Sequence, residues 1–452
     1  MASHRVFVAN RGEIGLRIVR AAHALGMEAV IGVSEADRGS LAAREADRAV
    51  VLGPGPAAKS YLDARLIVQA ALSTGCDLLH PGYGFLSERA ELARLCEEHG
   101  IAFVGPRPDV IDALGDKLRA RAMAEAAGVP LVPGTGEIAS AADAVRAAAE
   151  IGYPVLLKAS AGGGGRGMVI AHDAKEVEAG FAKASAEALA AFNDGTLFME
   201  RFVPEARHVE VQLMGDGKGN VIHFGERDCS VQRRYQKLVE EAPCAAMSAQ
   251  LRAKLHEAAV ALAASVNYRN AGTAEFLYDV ARQEVYFIEV NARIQVEHPV
   301  SEMISGFDLV QEQLRIATGA PLSLTQDQVV LSGHAIECRI NAEDWQRDFM
   351  PVPGTVTRWK APQGKGVRLD SHITEGATIP PYYDSMVGKL IVHGASREEA
   401  VAKLGEAIAG FEVEGVPTTL PLHAKIVSQP DFMANRIHTR WLEKTVLAGA
   451  ME

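Results

Sequence analysis

Two carboxylates, an amide and a run of basic and polar residues are where this chain most clearly holds chemistry. Between positions 289 and 297 the odd residues are Glu289, Asn291, Arg293, Gln295 and Glu297, and the even ones are Val290, Ala292, Ile294 and Val296. In an extended segment this alternation sends the polar set to one face and the apolar set to the other. Segments 272–278 and 285–291 read as a hairpin. A turn centred near Arg282 places Glu275 opposite Glu289. Carboxylates facing each other across a ladder repel unless a cation lies between them. Glu275, Glu289 and the Asn291 amide offer hard oxygen donors, the set that suits Mg²⁺ or Mn²⁺ bound together with phosphate.

A second signal supports a phosphate. Five glycines fall within residues 162–167, among them Gly163, Gly164 and Gly165, just after the apolar run Val155, Leu156, Leu157. Glycines let backbone N–H groups approach phosphate oxygens closely. Met168 stands where a P-loop would need lysine, so the loop is of another kind. Lys158 ends the apolar run and can supply the missing positive charge. Segment 226–237, ERDCSVQRRYQK, places four cations in what reads as one loop, an anion site in an otherwise acidic chain. Arg339 is a further isolated cation.

The elements that must carry these groups follow from patterning. The first third repeats an amphipathic helix, a glycine and a short apolar strand: helix 13–25 then strand 29–33, helix 64–73 then 76–80, helix 88–99 then 101–104. Such alternation implies a parallel, doubly wound sheet that binds ligands at its strand ends. Helices 117–127 and 141–150 and strand 154–159 follow a boundary near Gly115. Beyond Thr196 hairpins take over, the first pairing 208–214 with 221–225, so the middle is α+β. Another shift in composition falls at 321–333.

The 452 residues suggest about three domains. Lys plus Arg number 46 against 57 Asp plus Glu, a net charge of −11 that disfavours a general nucleic-acid binder. No apolar run is long enough to span a membrane. The five scattered cysteines form no disulfide or zinc pattern, and a reducing cytoplasm is expected.

HPGYGFLSE (80–88), KASAGGGGRGM (158–168), ERDCSVQRRYQK (226–237), NARIQVEHPV (291–300), PPYYDSM (380–386) and ANRGEI (9–14) together resemble the biotin carboxylase component of biotin-dependent carboxylases. The likeness runs over essentially the whole chain. It implies an ATP-grasp core with a Rossmann-like N-terminal domain at 1–114, an ATP-grasp domain at 115–330 with a mobile glycine-rich lid at about 131–203, and a smaller C-terminal α+β domain at 331–446. The implied reaction is ATP-dependent carboxylation of biotin by bicarbonate through carboxyphosphate, the first half-reaction of an acyl-CoA carboxylase such as acetyl-CoA carboxylase in fatty acid biosynthesis.

By the same resemblance Lys117 and Lys158 bind phosphate with the glycine loop. Glu200, His208, Gln232, Tyr235 and Leu277 line the nucleotide pocket, and Glu275, Glu289 and Asn291 hold Mg²⁺ or Mn²⁺. Lys237, Arg293, Gln295 and Val296 form the bicarbonate pocket, Glu297 is the general base, Arg339 stabilises the biotin enolate, and Tyr83 edges the biotin pocket. Tyr235 and Arg201 depart from the residues more usual in the family, as does Gly15. No biotinyl acceptor motif is seen, so biotin is expected on a biotin carboxyl carrier protein, with a separate carboxyltransferase and a homodimer of this chain. Competing readings are another ATP-grasp carboxylate ligase, a non-catalytic nucleotide sensor and, resting only on the glycine string, an NAD-dependent oxidoreductase.

Overall fold

The computed structural model describes residues 4–160 and 168–448. The N-terminal repeats form a five-stranded parallel sheet in the order Arg48–Gly53, Glu28–Ser34, Arg5–Val8, Leu78–His80, Ala102–Phe103. Helix–strand turns fall where the sequence places them, because Gly26, Gly75 and Gly100 each take φ near 70°, a left-handed conformation that stops a helix at little cost. The strand order reverses at Arg5–Val8, so the loops leaving that strand and Leu78–His80 splay apart. This is the topological switch point where open sheets place ligands. Glu13, in the first turn of helix Gly12–Ala24, and Tyr83, on the loop after Leu78–His80, lie beside it.

A three-stranded antiparallel sheet, ordered Met168–Ala171, Val155–Ala159, Leu197–Arg201, is backed by helices Ala141–Ile151 and Ala174–Phe192. Opposite lies an eight-stranded antiparallel sheet, ordered Glu284–Asn291, Arg269–Asp279, Arg207–Asp216, Val221–Arg233, Gln236–Ala242, His334–Asn341, Met386–Gly394, Val367–Ser371. Its strands come from both sides of residue 330. The class is therefore mixed α/β and α+β, as read from the sequence.

Three local readings need correction. The strand expected to end at Gly225 runs on to Arg233. Gly225, at φ 79°, sits in a bulge of the ladder, where glycine bends a strand without ending it. The segment 226–237 is consequently two paired strands with a tight turn at Arg234 and Tyr235, both at positive φ, and not a loop. Finally, 289–297 is extended only as far as Asn291. The chain then turns and enters helix His298–Ser305 with Glu297 as its N-cap.

Glu275 does stand opposite Glu289, by a different route. Nearer the turn the pairs are Phe276 with Phe287 and Tyr278 with Val285, a register centred between Ala281 and Arg282. A bulge at Ile288 shifts the ladder by one and sets the two carboxylates face to face.

Candidate active site

A cavity of about 1220 Å³ opens between the small and large antiparallel sheets and reaches the switch point of the parallel sheet. Every site residue expected from the sequence lines it, apart from Gly163, Gly164 and Gly165, which lie outside the described residues.

At one end Lys117 and Lys158 face Glu289. Asp116 caps helix Lys117–Ala126 through the Arg119 amide at 3.0 Å, which puts Lys117 at the helix start. Burial lowers the Lys117 pKa, against the pull of Glu289. Lys158 Nζ donates to Glu200 Oε2 at 2.9 Å, and Arg121 holds the other Glu200 oxygen. His208 and Leu277 are register partners on adjacent strands and face the cavity together. Tyr235 lies on the rim, 53% exposed.

The two opposed carboxylates differ in their partners. Glu275 Oε1 accepts from Lys237 at 3.0 Å, Asn291 at 2.8 Å and Gln295 at 3.0 Å, while Oε2 takes His208 at 2.9 Å. Burial pushes Glu275 up, but Lys237 and His208 hold it well below the usual carboxylate range. Glu289 accepts no hydrogen bond among the described residues. Burial and then the charge of Glu275 raise its pKa. Lys117 and Lys158 offset this only in part. The donor set therefore fits a hard divalent ion at Glu289 and Glu275. The Asn291 oxygen is already taken by Arg293 at 2.9 Å.

Deeper in, Lys237 joins three carboxylates: Glu210 at 2.6 Å, Glu275 at 3.0 Å and Glu297 at 2.7 Å. Burial alone lowers a lysine pKa, yet these three raise this one well above its ordinary value. Glu297 Oε2 accepts from Arg339 at 3.0 Å, and Arg339 Nε also donates to Glu240 at 2.6 Å. Glu297 makes no cap bond to its own helix, so both oxygens stay with Lys237 and Arg339. Burial raises Glu297, but Lys237, Arg339 and Arg227 hold it ionised, well below the usual range. Arg293 is braced by Glu88 at 2.9 Å. The site thus gathers an ionised carboxylate, an ammonium and two guanidiniums around a space suited to a small planar anion.

Several residues that shape it escaped the sequence reading. Glu210 and Gln212 alternate with His208 on one face of strand Arg207–Asp216, a signal that was there to be read. Arg227, taken as part of the anion loop, is fully buried behind the site. It donates to Glu210 at 2.5 Å, Gln212 at 2.6 Å, Ser301 at 3.0 Å, Thr273 at 3.2 Å and Gln295 at 3.1 Å. Arg233 and Arg234, also on the cavity wall, are paired with Asp348. Among the described residues Lys237 is the one cation of the four that bonds Glu275 and Glu297, and it shares Glu210 with Arg227. Arg121 and Glu240 carried no local signal.

A cavity between two antiparallel sheets, with Lys158 and Glu200 on the small one and Lys237, Glu275 and Glu289 on the large, is the arrangement of ATP-grasp ligases, and the fold is of that class. Residues 2–111 match the family described as biotin carboxylase, N-terminal domain; 116–325 match the carbamoyl-phosphate synthase L chain, ATP binding domain; and 337–444 match the biotin carboxylase C-terminal domain. Biotin carboxylase 1 of Bacillus subtilis is 47% identical over 447 residues, 99% of each chain. A biotin carboxylase–β,γ-ATP complex from Campylobacter jejuni superposes with a TM-score of 0.94 at 44% identity, covering 97% of this chain and 98% of that one. The biotin carboxylase domain dimer of Hydrogenobacter thermophilus 2-oxoglutarate carboxylase, in complex with MgADP, ADP and bicarbonate, gives 0.94 at 45% identity over 99% and 98%. The chain belongs to the biotin carboxylase family of ATP-dependent ligases.

Proposed function

We propose that this enzyme carboxylates biotin, borne on a separate biotin carboxyl carrier protein, using ATP and bicarbonate. One observation carries the reading: Glu297 is held ionised between Lys237 and Arg339, beside Arg293 and Gln295. Lys117 and Lys158 neutralise the ATP phosphates, and Gly163, Gly164 and Gly165 are phosphate-binding residues of the same reading. Glu200, His208, Gln232, Tyr235 and Leu277 surround the nucleoside. Glu275, Glu289 and Asn291 would hold Mg²⁺ or Mn²⁺, which would supply charge compensation for the transferring phosphoryl group.

Arg293, Gln295, Lys237 and Val296 hold bicarbonate in line with the γ-phosphate. Glu297 removes its proton, the freed oxygen bonds to the γ-phosphorus, and the bond to ADP breaks, leaving carboxyphosphate. Carboxyphosphate then separates into CO₂ and phosphate. The phosphate takes the N1 proton of biotin, and the resulting enolate, its oxygen facing Arg339, adds to CO₂ through N1. Tyr83 borders the biotin ring.

The division into domains at 1–114, 115–330 and 331–446, with a lid at about 131–203, belongs to this reading. So do a homodimer, a carboxyltransferase partner that selects the acyl acceptor, and a cytoplasmic setting within an acetyl-CoA carboxylase serving fatty acid biosynthesis. No helix of the described residues is long and apolar enough to cross a membrane. The test is ADP release by the purified chain with Mg²⁺ and ATP, with and without bicarbonate and free or carrier-borne biotin. A rise needing both bicarbonate and biotin supports the reading. ATP binding with no response to either points to a nucleotide sensor.

A further inference from the structure

Two of the sequence motifs, at residues 9–14 and 380–386, hold no group assigned above to phosphate, metal or bicarbonate. The first makes a buried contact with the strand that follows the second. Glu13 opens helix Gly12–Ala24, and its Oε1 accepts from Lys389 Nζ at 3.0 Å and from the Tyr83 hydroxyl. Lys389, fully buried on strand Met386–Gly394, also donates to the Val296 carbonyl at 2.8 Å. That carbonyl belongs to the peptide joining Val296 to Glu297.

The strand bearing Lys389 is itself fixed. Tyr383, just before it, donates to the Gly55 carbonyl at 2.5 Å and lies under Arg11, 4.2 Å from its ring centre. In the ladder Lys389 is the register partner of Arg339. Neighbouring cations on one sheet thus reach the same residue pair, Arg339 the Glu297 carboxylate and Lys389 the peptide behind it. The loop from Ala292 to Gln295 has no ladder to hold it. A charge-assisted bond in a dry interior is a strong restraint on such a loop.

We propose that Lys389, held in place by Glu13, is a positioning residue for the bicarbonate pocket, fixing the Val296–Glu297 peptide and tying it to the Tyr83 wall. The proposal rests on the function given above. Displacement of a reacting group by about 1 Å costs on the order of a hundredfold in rate. A residue acting through the loop therefore affects bicarbonate and leaves the nucleotide alone.

The experiment is steady-state ADP release by the full chain, varying bicarbonate and ATP separately. Lys389→Met alone leaves Glu13 buried without its cation, which threatens folding. The deciding variant is therefore Glu13→Gln/Lys389→Met, which removes both charges and still leaves Val296 without its donor. Expected are a KM for bicarbonate raised about tenfold or more, a lower kcat, and a KM for ATP within about twofold of wild type, with Lys389→Arg recovering most of the loss. A folded double variant with an unchanged KM for bicarbonate overturns the proposal, as does an equal rise in both KM values. Wild-type enzyme whose ADP release ignores bicarbonate instead overturns the functional reading itself.

Discussion

Glu275 and Glu289 face each other across an antiparallel ladder, yet one is saturated with donors and the other has none among the described residues. The pair therefore divides its work: Glu275 braces the site as well as facing the ion, and Glu289 is left for the ion alone. Glu289→Gln removes a charge the folded chain tolerates poorly, so stability is expected to hold or rise by about 0.5 kcal/mol. The Mg²⁺ needed for half-maximal ATP binding rises about tenfold or more. Glu275→Gln behaves in the opposite way and loses about 1–3 kcal/mol. Thermal melts and Mg²⁺ titrations of ATP binding check both, and matched effects from the two variants would sink the division.

Glu297→Gln keeps the shape of the base and removes its charge. ATP binding is expected to stay within about twofold, because no nucleotide-facing group contacts Glu297. Bicarbonate-dependent ADP release falls by about a hundredfold or more, the usual scale for a lost general base. The variant is best followed by ADP release with bicarbonate at saturation. Full activity there removes Glu297 from the base role.

What was legible in the sequence had short range. The helix–glycine–strand repeats were readable because each stop is written in the residue that makes it, as at Gly26 and Gly75. The opposition of Glu275 and Glu289 was readable because a hairpin ties register to chain distance, although the bulge at Ile288 that produces it was not. Gly225 misled because a bulge and a turn draw on the same property of glycine. The roles of the cations in 226–237 depend on partners elsewhere in the chain: Arg227 meets Ser301, and Arg233 meets Asp348. Lys389 lies 93 positions from Val296, and no spacing rule connects them. The family likeness named residues that the fold gathers in one cavity, while their bracing became visible only in three dimensions.

Buried histidines set the acid side of stability. Burial lowers His80 and His372 to about 3 and His423 to about 4, against an ordinary 6.5. Each is neutral in the folded chain and takes a proton on unfolding below pH 6.5. The unfolded state then binds more protons, so stability falls as pH drops from 6.5 towards 4. Each such histidine contributes a slope of about 1.4 kcal/mol per pH unit. His423 donates through Nε2 to the Arg339 carbonyl at 2.7 Å, a contact the glutamine amide can replace. His423→Gln is expected to flatten the dependence of stability on pH between 6 and 4.5 by about 1 kcal/mol per unit. Chemical denaturation at several pH values measures it, and an unaltered slope assigns the acid sensitivity elsewhere.

Arg339 serves two carboxylates, so its removal has two separable consequences. One is catalytic. With nothing opposite the developing enolate, Arg339→Ala loses biotin carboxylation by about a hundredfold, while ATP still binds. The other concerns Glu240, which burial pushes up to about 7 even with Arg339 beside it. Its second oxygen has no partner among the described residues. Without the guanidinium the Glu240 pKa climbs further and the carboxyl stays protonated at neutral pH, which limits the cost of the substitution. A carboxyl raised in the folded state gives stability below its unfolded pKa and loses it as pH rises through the folded value. Stability of Arg339→Ala is therefore expected to fall more steeply than wild type between pH 7 and 9. Adding Glu240→Gln should restore the wild-type slope without restoring carboxylation. Denaturation from pH 6 to 9, run beside a carboxybiotin assay, separates the two roles; recovery of activity in the double variant would place the catalytic loss in Glu240 and not in the missing guanidinium.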